Sequence, residues 1–154
     1  DGATAAIDFG PPSSVSGCAK SNEWVTAVAP GVIARTGEGV VILDLDGDGD
    51  EQTGWNILYL HIETRDKVAT GTVVAAGDKI GHPSCEGGVS TGTHVHIARK
   101  FNGEWILADG PLSFTMSGYV AKNGDAPYQG KLVNGDHKVI ADPLSSNKSN
   151  IQIP

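Results

Sequence analysis

Glycine and proline interrupt this chain so often that no window sustains the i, i+3, i+4, i+7 apolar stripe of an amphipathic helix. Between the interruptions lie short runs rich in Val, Ile and aromatic residues, bounded by Gly, Asn and Asp, which is the pattern of strands. Such runs cover 24–36, 39–46, 56–62, 72–76, 93–101 and 104–107, and in the tail 114–121, 128–133 and 137–141. Asn102-Gly103 between two of them is a type I′ hairpin signal, repeated at Asn123-Gly124 and Asn134-Gly135. The expected fold is all-β with antiparallel pairing dominant. No break in composition marks a boundary, so one domain is expected over 1–154: a core to about 108, a β extension over 109–144 and a frayed end at 145–154.

Composition narrows the partners. The 21 glycines show no three-residue period, so they signal tight turns and not a collagen helix. A formal charge of −7 argues against nucleic acid and against an anionic membrane surface, and no apolar run approaches a membrane span. With neither an initiator Met nor a signal peptide, Asp1 is expected to be a processed or truncated start. Cys18 and Cys85 lack zinc-finger spacing and lie in no CxxC motif. Two readings stand: a disulfide, implying an oxidising compartment, or two buried free thiols. The disulfide is the expectation.

The chemistry-bearing residues begin with His94-Val95-His96, which follow a glycine-rich loop from Cys85. On a strand the two imidazoles share a face, roughly 7 Å apart. That is wide for two ligands of one zinc, and it suits one ligand beside one acid/base group. Two half-buried strand histidines with backbone partners are the plainer alternative. Asp8, flanked by Ile7 and Phe9, is expected to be partly buried and to need a partner: a metal, an Arg or backbone amides. His61 ends an apolar run in which strand alternation puts it on one face with Tyr59 and Ile57. Asp44, Asp46, Asp48 and Asp50, with Gly49, match the start of an EF-hand calcium loop, but Trp55 stands at position twelve, so an EF-hand is excluded. The run is either a structural calcium (Ca2+) site or a solvated acidic turn. His82, in Gly81-His82-Pro83, is a candidate rim residue, and His137 a turn residue. Trp24, Trp55 and Trp105 are candidates for a substrate groove, with core packing expected for at least two.

Val28–Ile33 and Val68–Gly81 carry the turn pattern of a sandwich of short strands, which biotinyl and lipoyl carrier domains share. Together with Ala6-Ile7-Asp8-Phe9, Tyr59-Leu60-His61 and Ser90–His96, they resemble the lysostaphin/LasA-type zinc endopeptidases of peptidoglycan over about residues 5–108. Cys85-Glu86-Gly87-Gly88 points more narrowly to the LasA-like, or β-lytic, branch. The resemblance implies zinc (Zn2+) ligation by Asp8 and His96, catalytic histidines at His61 and His94, secretion, and a peptidoglycan peptide as substrate. The family's third ligand is a His before the Asp. Thr4 occupies the closely spaced position here, and no His occurs before His61, so that ligand is expected upstream of Asp1; a site with two protein ligands is the alternative. The competing functions are a metal-deficient relative that binds wall material or regulates a hydrolase, and a carrier domain, for which no Lys-centred hairpin is present.

Overall fold

The structure, a computed structural model, describes residues 4–144 and 146–151. Thirteen short strands and no helix occur among the described residues, so the all-β expectation holds. The chain divides into two compact units, Ile7–Trp105 and Asp1–Ala6 with Ile106–Pro154.

The first unit is built on a seven-stranded sheet of order β1 (Ala6–Phe9), β8 (Val95–Phe101), β5 (Trp55–Ile62), β4 (Gly39–Asp44), β3 (Gly31–Gly37) and β6 (Val73–Val74), with β9 (Glu104–Ile106) also paired to β8. β4 is central and apolar, and its Val41 and Leu43 are fully buried opposite Tyr59 and Ile57 of β5. Each such side chain contributes about 1.5–3 kcal/mol by leaving water. The Tyr59 hydroxyl, sunk with its ring, accepts the Val28 amide at 2.9 Å. β8 and β9 turn on Asn102 and Gly103, both at positive φ, as the Asn-Gly signal requires.

Expected strands are cut wherever a turn claims their amides. The run 24–36 divides into β2 (Val25–Thr26) and β3. Pro30 has no amide to offer a ladder, and Ala27 bonds instead to Asp78 and Gly77. β2 consequently leaves the main sheet and pairs with β7 (Lys79–Gly81). The run 72–76 shrinks to β6 because the Asp78 carboxylate takes the Ala75 amide.

The second unit holds an antiparallel sheet of order β10 (Thr115–Met116), β11 (Tyr119–Lys122), β12 (Lys131–Asn134) and β13 (His137–Ile140). The run 114–121 is a hairpin, not one strand, turning on Ser117 and Gly118. Asn123-Gly124 does not form the expected tight turn: the Asp109 carboxylate holds the Asn123 amide, and a longer loop leads to β12. Of the expected frayed end, Ser145 and 152–154 lie outside the described residues. Lys148 accepts the Ile140 amide, and Ser146 bonds Ser149.

Cys18 and Cys85 form a disulfide, Cα to Cα 5.8 Å. It ties the strandless segment 10–24 to the loop ahead of β8, where the Thr93 amide and hydroxyl also bond Gly17 and Ala19. The closed loop spans 67 residues, so reduction is expected to lower stability by about 4 kcal/mol. Urea unfolding with and without a reductant checks this; an unchanged midpoint would count against it.

Candidate active site

Register along β5 decides what meets what. Leu60 lies opposite His96 and Tyr59 opposite Ile97, so strict alternation would send His61 to the Tyr59 face, away from His96. The ladder between β4 and β5 slips there: Val40 pairs Leu60 and Gly39 pairs Ile62, leaving His61 as an extra residue. Its φ of 67° puts it in the left-handed region, at a cost of about 1–3 kcal/mol. A bulge of this kind re-aims a side chain. The His61 ring comes to 4.5 Å from His94 and 6.5 Å from His96. The expectation that His61 projects with Tyr59 is thereby overturned. Ser84 secures the bulge by donating its amide and hydroxyl to the His61 carbonyl, at 2.8 and 2.9 Å.

Asp8 on β1 lies between the other two histidines. Its Oδ1 is 2.9 Å from His96 Nδ1, and its Oδ2 is 3.9 Å from His94 Nε2. Asp8 is exposed, not partly buried as its Ile and Phe neighbours suggested, because β1 is the edge strand of the sheet. Two ligand atoms of a tetrahedral zinc lie about 3.3 Å apart. Asp8 Oδ1 and His96 Nδ1 are a carboxylate oxygen and an imidazole nitrogen at nearly that spacing, so this pair fits two ligands of such an ion. Among the described residues no third His, Cys, Asp or Glu joins the pair in a group whose ligand atoms all lie within 4.8 Å of one another.

The remaining two imidazoles are oriented through main-chain carbonyls. His61 Nδ1 lies 2.8 Å from the Glu86 carbonyl, and His94 Nδ1 lies 2.7 Å from that of Gly92. A carbonyl only accepts, so each Nδ1 carries the proton and the neutral ring keeps its lone pair on Nε2. The His61 imidazole titrates below its ordinary value, chiefly through burial and then through the charges of His94 and His96; the Glu86 carbonyl and Asp8 offset part of this. A cavity of about 200 Å³ is bounded by Lys20, Glu63, Ser84, Glu86 and Thr93, and none of Asp8, His61, His94 and His96 lines it.

A family model described as Peptidase family M23 matches residues 13–107. The chain belongs to peptidase family M23. Two curated relatives, Protease LasA from Pseudomonas aeruginosa strains PAO1 and UCBPP-PA14, are each 30% identical over 94 residues, 56% of this chain and 22% of theirs. The chain therefore matches only about a fifth of the length of those relatives. The M23 metalloprotease pseudoalterin from the deep sea shares the fold, with a TM-score of 0.70 at 23% identity over 89% of this chain and 79% of that one. Asp8 precedes the segment that matches the M23 family, so its place in the site rests on geometry alone.

Other residues singled out in the sequence lie elsewhere. Asp44, Asp46 and Asp48 bring carboxylate oxygens within 4.8 Å of one another, and Asp50 is not part of that group. The loop's own amides already occupy these acids: Asp46 and Gly49 donate to Asp44, Asp48 to Asp46, Asp50 to Asp48, and Gln52 to Asp50. The calcium expectation therefore has no support beyond the acids themselves. His82 is not a rim residue: it is buried, packed 4.0 Å from the Trp24 ring, with Nδ1 on the Glu23 carbonyl and Nε2 3.3 Å from Asp66. Trp24 is exposed and Trp55 and Trp105 are half-buried, so none is a core residue. His137 is exposed at the head of β13. Ser84, Glu86 and Gly92 escape sequence reading because their contacts with His61 and His94 involve main-chain carbonyls, which every residue carries.

In the metal-free protein, NMR titration of His61 is expected to give a midpoint below 6.5. With the folded value depressed, the folded chain takes up this proton less readily than the unfolded chain. The contribution to stability is then present above pH 6.5 and lost as pH falls through the folded midpoint. Urea unfolding at stepped pH checks the sign, since the wild type should lose more stability on acidification than His61→Gln.

Proposed function

We propose that this chain is the catalytic domain of a secreted zinc endopeptidase that hydrolyses peptide bonds of peptidoglycan, in a cross-bridge or a stem peptide. The observation that carries the reading is the convergence of Asp8, His61, His94 and His96 at one end of β5 and β8, with an oxygen and a nitrogen at ligand spacing. Membership of family M23 supports the peptidase reading, and the Cys18–Cys85 disulfide supports an oxidising, extracellular setting.

Asp8 and His96 would hold the zinc through the oxygen and nitrogen that face each other at 2.9 Å. Bound there, zinc supplies a Lewis acid that polarises a peptide carbonyl and brings the pKa of water to about 7. His61, kept neutral by its burial, takes the proton of the attacking water at Nε2. His94, whose Nε2 lies 3.9 Å from Asp8 Oδ2, is placed to pass a proton to the leaving amine.

The test uses the natural protein. His96→Ala and Asp8→Ala are expected to lose zinc and cleavage of peptidoglycan peptides together. His61→Ala and His94→Ala are expected to keep zinc while kcat drops about 10²–10⁴-fold. Metal analysis alongside product assay separates the two classes. Stoichiometric zinc retained in His96→Ala would sink the ligand assignment. A wild-type chain that binds wall peptides without zinc would favour the metal-deficient binding module.

A further inference from the structure

His61 is left-handed and unpaired in the ladder, so its ring needs a rigid guide from outside the strand. The guide is the segment 84–86, which runs beside 61–64. Ser84 holds the His61 carbonyl from one side and accepts the Glu86 amide at 3.0 Å. The Glu86 carbonyl then takes His61 Nδ1. The Glu86 carboxylate turns back on the chain just past β5: Thr64 donates both its amide, at 2.9 Å, and its hydroxyl, at 2.6 Å, to Oε2. One residue therefore grips the bulge twice, by main chain at His61 and by side chain at Thr64.

The approach that allows this is unusually close. Gly39 lies opposite Ile62, immediately beyond the bulge, and its back presses on the Glu86–Gly87 peptide. A Cβ on Gly39 would meet the Glu86 carbonyl and Gly87 Cα at 2.5 Å, and a Cβ on Gly87 would meet the Glu38 oxygen at 2.6 Å. Both glycines also have positive φ. Two side-chain-free residues packed back to back hold the Glu86 carbonyl at the imidazole, where any other residue pair would push it away. An exposed turn brace would need neither the double grip nor this contact.

We propose that Glu86 is a positioning residue for His61: clamped by Thr64 and seated against Gly39, it fixes the orientation of the imidazole and holds it as the Nδ1–H tautomer, with the lone pair on Nε2. This rests on His61 having the catalytic role proposed above. The positioning itself is independent of metal and of activity, because it concerns only which ring nitrogen holds the proton and where the ring points.

The experiment compares wild type, Glu86→Ala, Glu86→Gln and Thr64→Val, reading imidazole ¹⁵N shifts of His61 in metal-free protein, zinc binding, kcat and KM. The wild type is expected to show one tautomer, protonated on Nδ1. Glu86→Ala should give mixed tautomers and a kcat lower by about ten- to a hundredfold, a loss typical of a misplaced reacting group, with KM and zinc affinity unchanged. Glu86→Gln keeps an acceptor for Thr64 and should restore both readouts. Thr64 is exposed, so Thr64→Val provides the same test, with smaller shifts in the same direction, if Glu86→Ala does not fold. An unchanged tautomer in Glu86→Ala and Thr64→Val overturns the proposal, as does a fall in kcat with the tautomer intact. If no variant, wild type included, cleaves peptide, the catalytic reading fails while the ¹⁵N shifts still decide the positioning.

Discussion

Antiparallel pairing between β5 and β8, with the one-residue slip between β5 and β4, is the constraint on which the site depends. The pairing sets Leu60 against His96 and so chooses the face on which His96 projects. The slip adds His61 to that face against the alternation of its strand. Without the slip, His61 would follow Tyr59 into the buried side of the sheet, and the three histidines would not meet. A left-handed histidine costs free energy. The sheet sustains it because Ser84 and Glu86 take up its carbonyl and its ring nitrogen at a point where the ladder offers no partner.

The rest of the unit keeps this arrangement rigid. Apolar strands β4 and β5 pack Val41, Leu43, Ile57 and Tyr59 out of water, so the backbone bearing the site has little room to shift. The loops beside the site are tied covalently and by hydrogen bonds, since the Cys18–Cys85 bridge and the bonds of Thr93 to Gly17 and Ala19 join 10–24 to the approach to β8. Three of the four site residues therefore sit on strands, and His94 follows a stapled loop. That placement suits chemistry in which about an ångström of misplacement matters.

Much of the architecture was legible in advance because strand and turn signals are local. Asn102-Gly103 turns as its φ preferences require, and β5 and β8 lie close to the runs read from composition. The errors share a cause. The split at Pro30, the shortened β6 and the long loop after Lys122 arise where Asp78, Asp109 or a distant carbonyl captures an amide that the local pattern assigned to a ladder. The acidic loop matched a calcium pattern because spacing records which acids are present, not whether loop amides already occupy them.

By itself, then, the sequence determined the all-β class and the peptidase family, because both are carried by local patterns of residue types, and it put forward Asp8, His61, His94 and His96 as candidates for the chemistry proposed above. Tertiary structure alone decided that Asp8 reaches His96 across 88 residues, that Cys18 pairs with Cys85, and that His61 turns to the His96 face. The last depends on a register slip between two strands, and register belongs to the pairing of neighbours, which no single strand encodes.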